Sequence, residues 1–221
     1  MKNQWQKAVI TDVTQASEDM LSLTVQPEQW VPYKAGQCYE TRIPGLRLMR
    51  KYSVVSSPHH KNKLEFGVQL LPYGAVSPQM WKLKAGDSLD IRGPFGTFTW
   101  DTSMDGPVIL IGGGSGITPL ISMYHYIRSV RPSGEIVFIV SAKHAGRVMH
   151  YEQLKQHIST RFTATEGRVD KDFLTSLIGQ YVTNSKTHCY VCGPNSFAAD
   201  TVDILLEMGF PDTVIMSEGF S

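Results

Sequence analysis

The chain has 221 residues, enough for one large domain or two small ones, and apolar residues make up 42% of it against 19% charged residues. A formal net charge of +1 excludes a nucleic-acid binder that works through bulk positive charge. Apolar runs stay well short of the about 18 residues of a membrane span, and the amino end lacks the apolar core of a signal peptide, which favours a cytoplasmic protein.

The first hundred residues predict six short strands, because runs rich in β-branched and apolar residues alternate with turn residues. The predicted strands span 6–13, 20–26, 37–43, 51–55, 64–70 and 88–92, and one short helix spans 76–83. We expect these six strands to form a closed antiparallel barrel, since closure leaves no exposed sheet edge.

The second half of the chain alternates strands with helices. Strands are predicted over 108–111, 136–141, 161–165, 188–192 and 213–216, and helices over 118–130, 151–157, 171–177 and 195–208. This alternation is typical of a parallel sheet that helices cover on both faces. The change of pattern divides the chain into a barrel domain, 1–102, and an α/β domain, 103–221.

A glycine-rich loop follows the strand at 108–111. It contains Gly112, Gly113, Gly114 and Gly116, and it leads into a helix whose first turn contains Thr118 and Pro119. Such a loop lets the backbone approach a phosphate, and the helix amino end offers free N–H groups. The dinucleotide fingerprint expects a third glycine at position 117, where isoleucine stands, so the loop is a related phosphate loop. A plain strand-to-helix turn is the alternative.

Two motifs in the first half suit a flat, phosphate-bearing ligand. Arg50 and Tyr52 share one face of a strand and Ser53 takes the other, so a guanidinium and an aromatic ring lie side by side. The alternative is an ordinary barrel surface. The segment Gly74-Ala75-Val76-Ser77 offers backbone N–H groups and a hydroxyl to a second phosphate, unless Ser77 is a simple helix cap. The segment 93–98 is interpreted as a structural turn.

The carboxyl end of the strand at 188–192 carries Cys192, Gly193 and Pro194, and ligands of open parallel sheets bind at this edge. Cys189 and Cys192 point to opposite faces of a strand, so we expect neither a disulfide nor a metal pair. A buried packing thiol is the alternative for Cys192. The adjacent His59 and His60 have no spaced partner ligand and predict no metal site.

Five motifs, in this order, resemble those of the ferredoxin–NADP reductase superfamily, above all its compact bacterial flavin reductases and oxygenase-reductase modules. They are Arg50-x-Tyr52-Ser53, Gly74-x-x-Ser77, Gly93-Pro94-x-Gly96, Gly112-Gly-Gly-x-Gly116-x-Thr118-Pro119 and Cys192-Gly193-Pro194. The resemblance covers nearly the whole chain. It implies an antiparallel flavin-binding barrel followed by a Rossmann-like NAD(P)-binding domain.

The resemblance also implies roles for single residues. Arg50 would contact a flavin phosphate, Tyr52 would stack on the isoalloxazine ring, and Ser53 would hydrogen-bond near its N5 atom. Residues Gly74, Val76 and Ser77 would hold the pyrophosphate of FAD, a group that FMN lacks. The nicotinamide dinucleotide would contact Gly113, Gly114, Gly116, Thr118, Cys192, Gly193 and Pro194.

The last residues, Ser217 to Ser221, resemble the short acidic–aromatic ending of the family's flavin–nicotinamide modules. There Glu218 would handle protons and Phe220 would cover the flavin; a surface carboxylate and a packing aromatic are the alternatives. The chain carries no cluster-bearing ferredoxin segment and stops where such a segment begins in multi-domain reductases. A shortened form of such a reductase therefore remains open.

The sequence thus predicts a flavoenzyme that passes electrons from NAD(P)H through bound FAD to a separate ferredoxin, iron–sulfur or oxygenase protein. Ser53, Cys192 and Glu218 are the expected catalytic residues in the groove between the domains. A free-flavin reductase and a non-catalytic electron-docking subunit are the alternatives. Lys143, His144 and Arg147 follow the strand at 136–141 without a nearby acid, which favours NADPH slightly over NADH.

Overall fold

The structure is a computed structural model that describes residues 4–156, 161–166 and 169–220. Its first half is a six-stranded antiparallel sheet. The strands are β1 (Gln6–Gln15), β2 (Met20–Pro27), β3 (Cys38–Arg42), β4 (Arg50–Ser53), β5 (Leu64–Gln69) and β6 (Ser88–Phe95). A short helix, α1 (Ser77–Met80), follows β5.

The antiparallel sheet curls until its two edge strands meet. The strand order is β4-β3-β6-β1-β2-β5, and an isolated bridge between Val54 and Phe66 joins the ends. The amide of Val55 also donates to the carbonyl of Glu65 at 2.8 Å. Alternating side chains such as Ala8 and Ile10 point inward and fill the interior. The expected six-stranded barrel is therefore confirmed.

The second half is a five-stranded parallel sheet with the order β11-β10-β7-β8-β9. Its elements are β7 (Val108–Gly113), α2 (Ile117–Val130), β8 (Ile136–Ala142), α3 (Tyr151–Gln156), β9 (Arg161–Glu166), α4 (Lys171–Ile178), β10 (His188–Pro194), α5 (Asn195–Met208) and β11 (Ile215–Phe220). Every residue of β7 is buried, and Leu110 packs into one apolar cluster while Ile109 and Ile111 pack into another on the opposite face. Both faces are covered, as the sequence predicts.

The two halves share one core. An apolar cluster around α2 includes residues of the first half, namely Met20, Ala35, Val55, Phe98 and Trp100. The hydroxyl of Ser122, on α2, donates to the carbonyl of Ser56 at 2.7 Å. A Cβ atom on Gly67 of β5 would lie 2.6 Å from the methyl group of Thr118, so only glycine allows this approach. The barrel is thereby held against the carboxyl ends of β7 and β10.

Several element boundaries differ from the sequence prediction. Helix α1 covers only four residues, because the chain turns after Met80 and the indole of Trp81 donates to the carbonyl of Val68 at 3.0 Å. The expected turn at 93–98 is wrong in part, since β6 continues through Gly93 and Pro94 to pair Phe95 with Cys38.

The final strand also lies later than expected. The segment Asp212–Val214 is a 3-10 turn, and β11 then runs alongside β10 as far as Phe220. Residue 157, predicted at the end of α3, lies outside the described residues. The described helices include none that is both long and apolar enough to cross a membrane.

Candidate functional site

A cavity of about 340 Å³ opens at the carboxyl ends of β7, β8 and β10. Gly113, Gly114, Lys143, Pro194 and Phe197 are among the residues that line it. The order in which successive strands join the sheet reverses at β7, which has β8 on one side and β10 on the other. In open parallel sheets this switch point is where nucleotides bind, so the cavity lies where the sequence predicts a dinucleotide.

The glycines of this edge are required by close contacts. A Cβ atom on Gly116 would lie 2.2 Å from the carbonyl oxygen of Cys192, so the loop could not pass β10 with any side chain there. Cβ atoms on Gly113 and Gly193 would lie 2.7 and 2.5 Å from the ring of Phe197. Gly114 has a φ of 55°, in the left-handed region. The loop therefore offers bare backbone to the cavity.

Thr118 is placed less directly than predicted. Its hydroxyl donates to the carbonyl of Ser115 at 2.9 Å, and its methyl group faces Gly67 of the barrel. The residue is buried and closes the first turn of α2. It shapes the glycine loop and the contact between the halves, and its side chain is not presented to the cavity.

Cys192 and Glu218 lie side by side on β10 and β11. They are register partners in the parallel sheet, and Cys192 also pairs with Gly112 of β7. Burial raises the pKa of the Cys192 thiol, and the nearby Glu218 carboxylate raises it further. Burial also raises the pKa of Glu218, while Lys51 of β4 lowers it. The Cys192 thiol therefore stays protonated near neutral pH and is no nucleophile.

The same carboxylate reaches the barrel. Burial and then Glu218 raise the pKa of Cys38, on β3, to about 11, while Lys51 lowers it. Ser53 is the register partner of Cys38 and follows Lys51 by two residues on β4. Glu218 thus interacts with Cys192 of the parallel sheet and with Cys38 and Lys51 of the barrel. Ser53 is joined to this group through its pairing with Cys38, and we call the region of these five residues, between the barrel and the parallel sheet, the groove.

Arg50 and Tyr52 lie on β4 beside that groove. The Arg50 side chain is exposed and donates to the carbonyl of Met49 at 2.8 Å. The Tyr52 ring is half-buried against the barrel core, and burial raises its pKa to about 12, although Arg50 lowers it. A guanidinium beside a ring that is backed by apolar packing fits a flat cofactor that bears phosphate.

The loop before α1 fits a second phosphate through its backbone. The amides of Ala75, Val76 and Ser77 donate to no acceptor in the described part of the chain. A Cβ atom on Gly74 would lie 3.1 Å from Leu71, so the loop is tight. The Ser77 hydroxyl accepts from the amide of Leu71 at 3.0 Å and donates to its carbonyl at 3.3 Å. The Ser77 hydroxyl therefore fixes the loop and does not cap α1, while the Ser77 amide is left for a phosphate.

The carboxyl-terminal strand completes the groove. Phe220 is 37% exposed and is the register partner of Pro194, and strand alternation puts it on the face of Glu218.

Cys189 and Cys192 pack into clusters on opposite faces of the sheet, as the strand period requires. His59 contacts the ring of Tyr126, with the ring centroids 5.1 Å apart.

Sequence reasoning missed several residues of the site. Asp19 and Gln69 of the barrel line the cavity, although both lie far from the glycine loop in the sequence. Phe197 lies under two glycines, and nothing marks it among the apolar residues of α5. Cys38 and Lys51 enter the groove only through the packing of the two halves. Of these missed residues, only Lys51 has a local signal in the sequence, because it lies between Arg50 and Tyr52.

Comparisons with known proteins agree with this geometry. Residues 7–100 match the oxidoreductase FAD-binding domain family. The reductase component of propane 2-monooxygenase from Mycolicibacterium goodii is 23% identical over 224 residues, covering 93% of this chain and 64% of that protein. A flavohemoprotein from Bacillus subtilis is 30% identical over 229 residues, covering 91% of this chain and 55% of that protein. The chain thus spans less than two thirds of these relatives.

Among solved structures, the ferredoxin reductase in carbazole 1,9a-dioxygenase superposes with a TM-score of 0.86 at 18% identity, covering all of this chain and 70% of that one. At that identity the likeness concerns the fold. Residues 7–100 thus match the oxidoreductase FAD-binding domain family, and the whole chain shares its fold with that ferredoxin reductase.

Proposed function

We propose that the protein is an FAD-dependent NAD(P)H reductase that delivers electrons to a separate acceptor protein. The observation that carries this proposal is that Glu218, the register partner of Cys192, lies close enough to Lys51 of β4 for their charges to interact. A flavin on β4 and a nicotinamide at Cys192 would there face each other. We assign the flavin-binding role to residues 1–102 and the nucleotide-binding role to residues 103–221.

The barrel residues orient the flavin in this proposal. The Arg50 guanidinium binds a phosphate oxygen, and the Tyr52 ring stacks on the isoalloxazine. The Ser53 hydroxyl hydrogen-bonds at the N5 edge. The amides at Val76 and Ser77 bind the pyrophosphate of FAD. Bound FAD supplies the ability to take two electrons from a reduced nicotinamide and to release them one at a time.

The residues of the second half position the nicotinamide nucleotide. The Gly113–Gly116 loop presents backbone to the pyrophosphate, and Gly193 and Pro194 border the ring site. The protonated Cys192 thiol packs beside the ring and sets its distance from β4, which matters because reactive atoms must lie about 3–3.5 Å apart. Glu218, whose pKa burial raises, takes up or gives back a proton at the groove, and Phe220 covers the flavin.

The acceptor is an iron–sulfur or oxygenase protein in this proposal. Support comes from the relatives, one of which is named a reductase component of a monooxygenase and another a ferredoxin reductase of a dioxygenase. A free-flavin reductase and a non-catalytic docking subunit are the competing outcomes.

An absorption spectrum of the purified protein, followed by NADH and NADPH oxidation with ferricyanide, tests the proposal. We expect a yellow protein that releases FAD in acid and reduces ferricyanide. A colourless protein that oxidises the nucleotide only when flavin is added would instead indicate a free-flavin reductase. The absence of any oxidation with added FAD would indicate a docking subunit.

A further inference from the structure

The choice between NADH and NADPH depends on the groups around the adenosine ribose. A cation binds the 2′-phosphate of NADPH, whereas an acid binds the 2′-hydroxyl of NADH. In this chain the segment after β8 borders the cavity and carries Lys143, His144 and Arg147. All three are candidate phosphate ligands, and Lys143 and Arg147 line the cavity itself. The inference drawn below rests on the proposed function, in which this cavity holds the nicotinamide dinucleotide.

The turn between β1 and β2 reaches across from the barrel and binds this segment. The carboxylate of Asp19 accepts from the Arg147 guanidinium at 2.8 Å. Next to it, the Glu18 carboxylate lies 3.5 Å from the imidazole Nε2 of His144, and the Glu18 amide donates to the carbonyl of Gly146 at 2.9 Å. Of the three basic side chains, His144 and Arg147 therefore already face an acid from the other half of the molecule, and Lys143 remains as a cation at the cavity.

Asp19 is firmly held in this position. Its side chain is only 11% exposed, and the same carboxylate oxygen accepts from the Gln69 amide at 2.8 Å. The Asp19 carbonyl also accepts from the amide of Leu70 at 2.8 Å, which ties the turn to the end of β5. A carboxylate that is buried and hydrogen-bonded in this way does not swing aside without losing several bonds.

Asp19 and Gln69 also line the cavity, together with Arg147. A 2′-phosphate that approached Arg147 would come close to the Asp19 carboxylate, and the two negative groups would repel each other in a partly buried site. The phosphate would also have to break the existing ion pair before it gained one of its own. A 2′-hydroxyl meets neither obstacle, and a carboxylate is a good acceptor for it.

We propose that Asp19, contributed by the barrel, is a specificity-determining residue that makes the protein prefer NADH by engaging Arg147 and repelling a 2′-phosphate. The slight preference for NADPH inferred from the basic residues of the sequence is thereby reversed. The sequence could not reveal this, because the acid that neutralises Arg147 lies 128 positions away.

Equilibrium binding of NAD⁺ and NADP⁺ to the FAD-loaded protein, measured by isothermal titration calorimetry, tests the proposal. We expect the parent to bind NAD⁺ more tightly. Asp19→Asn should tighten NADP⁺ by about tenfold or more, the gain from one charge-assisted hydrogen bond, with NAD⁺ changed by less than about threefold. Adding Arg147→Ala to Asp19→Asn should abolish that gain. The ratios of kcat/KM for NADH and NADPH should follow the binding ratios.

Asp90→Asn is the matched control. It removes one carboxylate from a similar ion pair, with the Arg42 guanidinium 2.9 Å from Asp90, on strands that do not line the cavity. It should leave the NADP⁺ to NAD⁺ ratio unchanged. If Asp90→Asn shifts the ratio as Asp19→Asn does, the effect comes from net charge alone and the proposal is overturned.

Other outcomes also decide the matter. A parent that binds NADP⁺ as tightly as NAD⁺, or an Asp19→Asn variant with an unchanged ratio, would overturn the role of Asp19 and leave the proposed reductase function standing. A parent that binds neither nucleotide would overturn both. If Asp19→Asn does not fold, Arg147→Ala in the parent decides: unchanged NADP⁺ affinity supports the proposal, and a loss above about tenfold contradicts it.

Discussion

Glu218 lies near the buried thiols of Cys38 and Cys192 and near Lys51. Burial raises the pKa of Glu218 more than Lys51 lowers it, so its ionised form is unfavourable in the folded protein. When the pKa of a carboxyl group is higher in the folded than in the unfolded protein, the protein loses stability as the pH rises from the unfolded-state pKa through the folded-state pKa. Glu218→Gln should therefore unfold at a higher temperature than the parent at pH 7. The difference should vanish below pH about 4, where the carboxyl is protonated in both states.

Thermal unfolding between pH 4 and pH 8 measures this effect, alongside turnover with ferricyanide. Turnover should fall in Glu218→Gln, since the groove loses its proton-exchanging group. Glu152→Gln, on an exposed position of α3, is the control and should change neither quantity. A Glu218→Gln variant that is less stable than the parent at pH 7 would show that the carboxylate is stabilised in the groove.

Arg50 provides a second test at the residue scale. Arg50→Ala should weaken flavin binding by about 1.5–3 kcal/mol, the range for a hydrogen bond to a charged group. Equilibrium dialysis with FAD measures it, and Arg47→Ala, at an exposed arginine of the loop before β4, is the control. Equal flavin affinities in the two variants would refute the assignment of Arg50 to a phosphate.

Among single residues, the sequence points to those that belong to local motifs, and it misses those that reach the site only because the two halves pack together. Arg50, Tyr52 and Gly116 are visible because their neighbours along the chain share in the same chemistry. Asp19 has no such neighbours, since its meaning depends on Arg147 in the other half of the molecule. The contact of the Ser77 hydroxyl is hidden for a similar reason, because its partner is the backbone of Leu71 rather than its own helix.

At the scale of elements, boundaries follow from the sequence where a strong local signal stops the chain. Helix α5 begins at Asn195 after Pro194 and ends at Met208, before Gly209, whose φ of 100° provides the left-handed cap. The signal is weak for β11, because Glu218 and Gly219 break the apolar pattern and only the pairing with β10 keeps them extended. Helix α1 is short for the same kind of reason, since a tertiary hydrogen bond from Trp81 redirects the chain.

The glycine loop passes so close to β10 at Gly116 that a substitution there tests the contact between the two elements. Gly116→Ala would place a methyl group 2.2 Å from the Cys192 carbonyl, so the loop or the strand must move. We expect a loss of about 1–3 kcal/mol in the free energy of unfolding, as for overpacked cores, together with weaker nucleotide binding. Urea unfolding and NAD⁺ titration measure the two effects.

Gly179→Ala is the control for that substitution. Gly179 has a φ of −56°, and its added Cβ would meet only a threonine methyl group at 3.3 Å. It should leave nucleotide binding unchanged. If Gly116→Ala binds NAD⁺ like the parent, the close crossing serves the fold alone and the loop is not the dinucleotide site.

At the scale of the whole molecule, the two halves are held by their shared core and by a few polar contacts across it. Sequence patterns predict each half, because buried residues alternate along barrel strands such as β1 but follow one another without a break along parallel strands such as β7. They do not predict the interface, since residues such as Met20 and Trp100 look like ordinary members of the first half. The groove, the cavity and the pairing of Asp19 with Arg147 all depend on that interface.

Glu65 of the barrel and His150 of the second half form a polar contact across this interface, 2.7 Å apart with side chains 22% and 17% exposed. Burial alone would raise the pKa of Glu65, but hydrogen bonds from His150 and Ser22 outweigh it and leave the pKa below its ordinary value. A lowered folded pKa contributes stability above the unfolded value of about 4.3, and this contribution disappears as the pH falls through the folded value. Glu65→Gln should therefore lower the free energy of unfolding at pH 7 by about 1–3 kcal/mol, the range for a buried hydrogen-bonding partner left unsatisfied, and by progressively less below pH about 4.

Asp105→Asn, which breaks an exposed ion pair with Lys186, should have a much smaller effect in the same urea titrations. Equal losses in the two variants, or a loss for Glu65→Gln that does not shrink in acid, would mean that the ionised Glu65 does not hold the halves together.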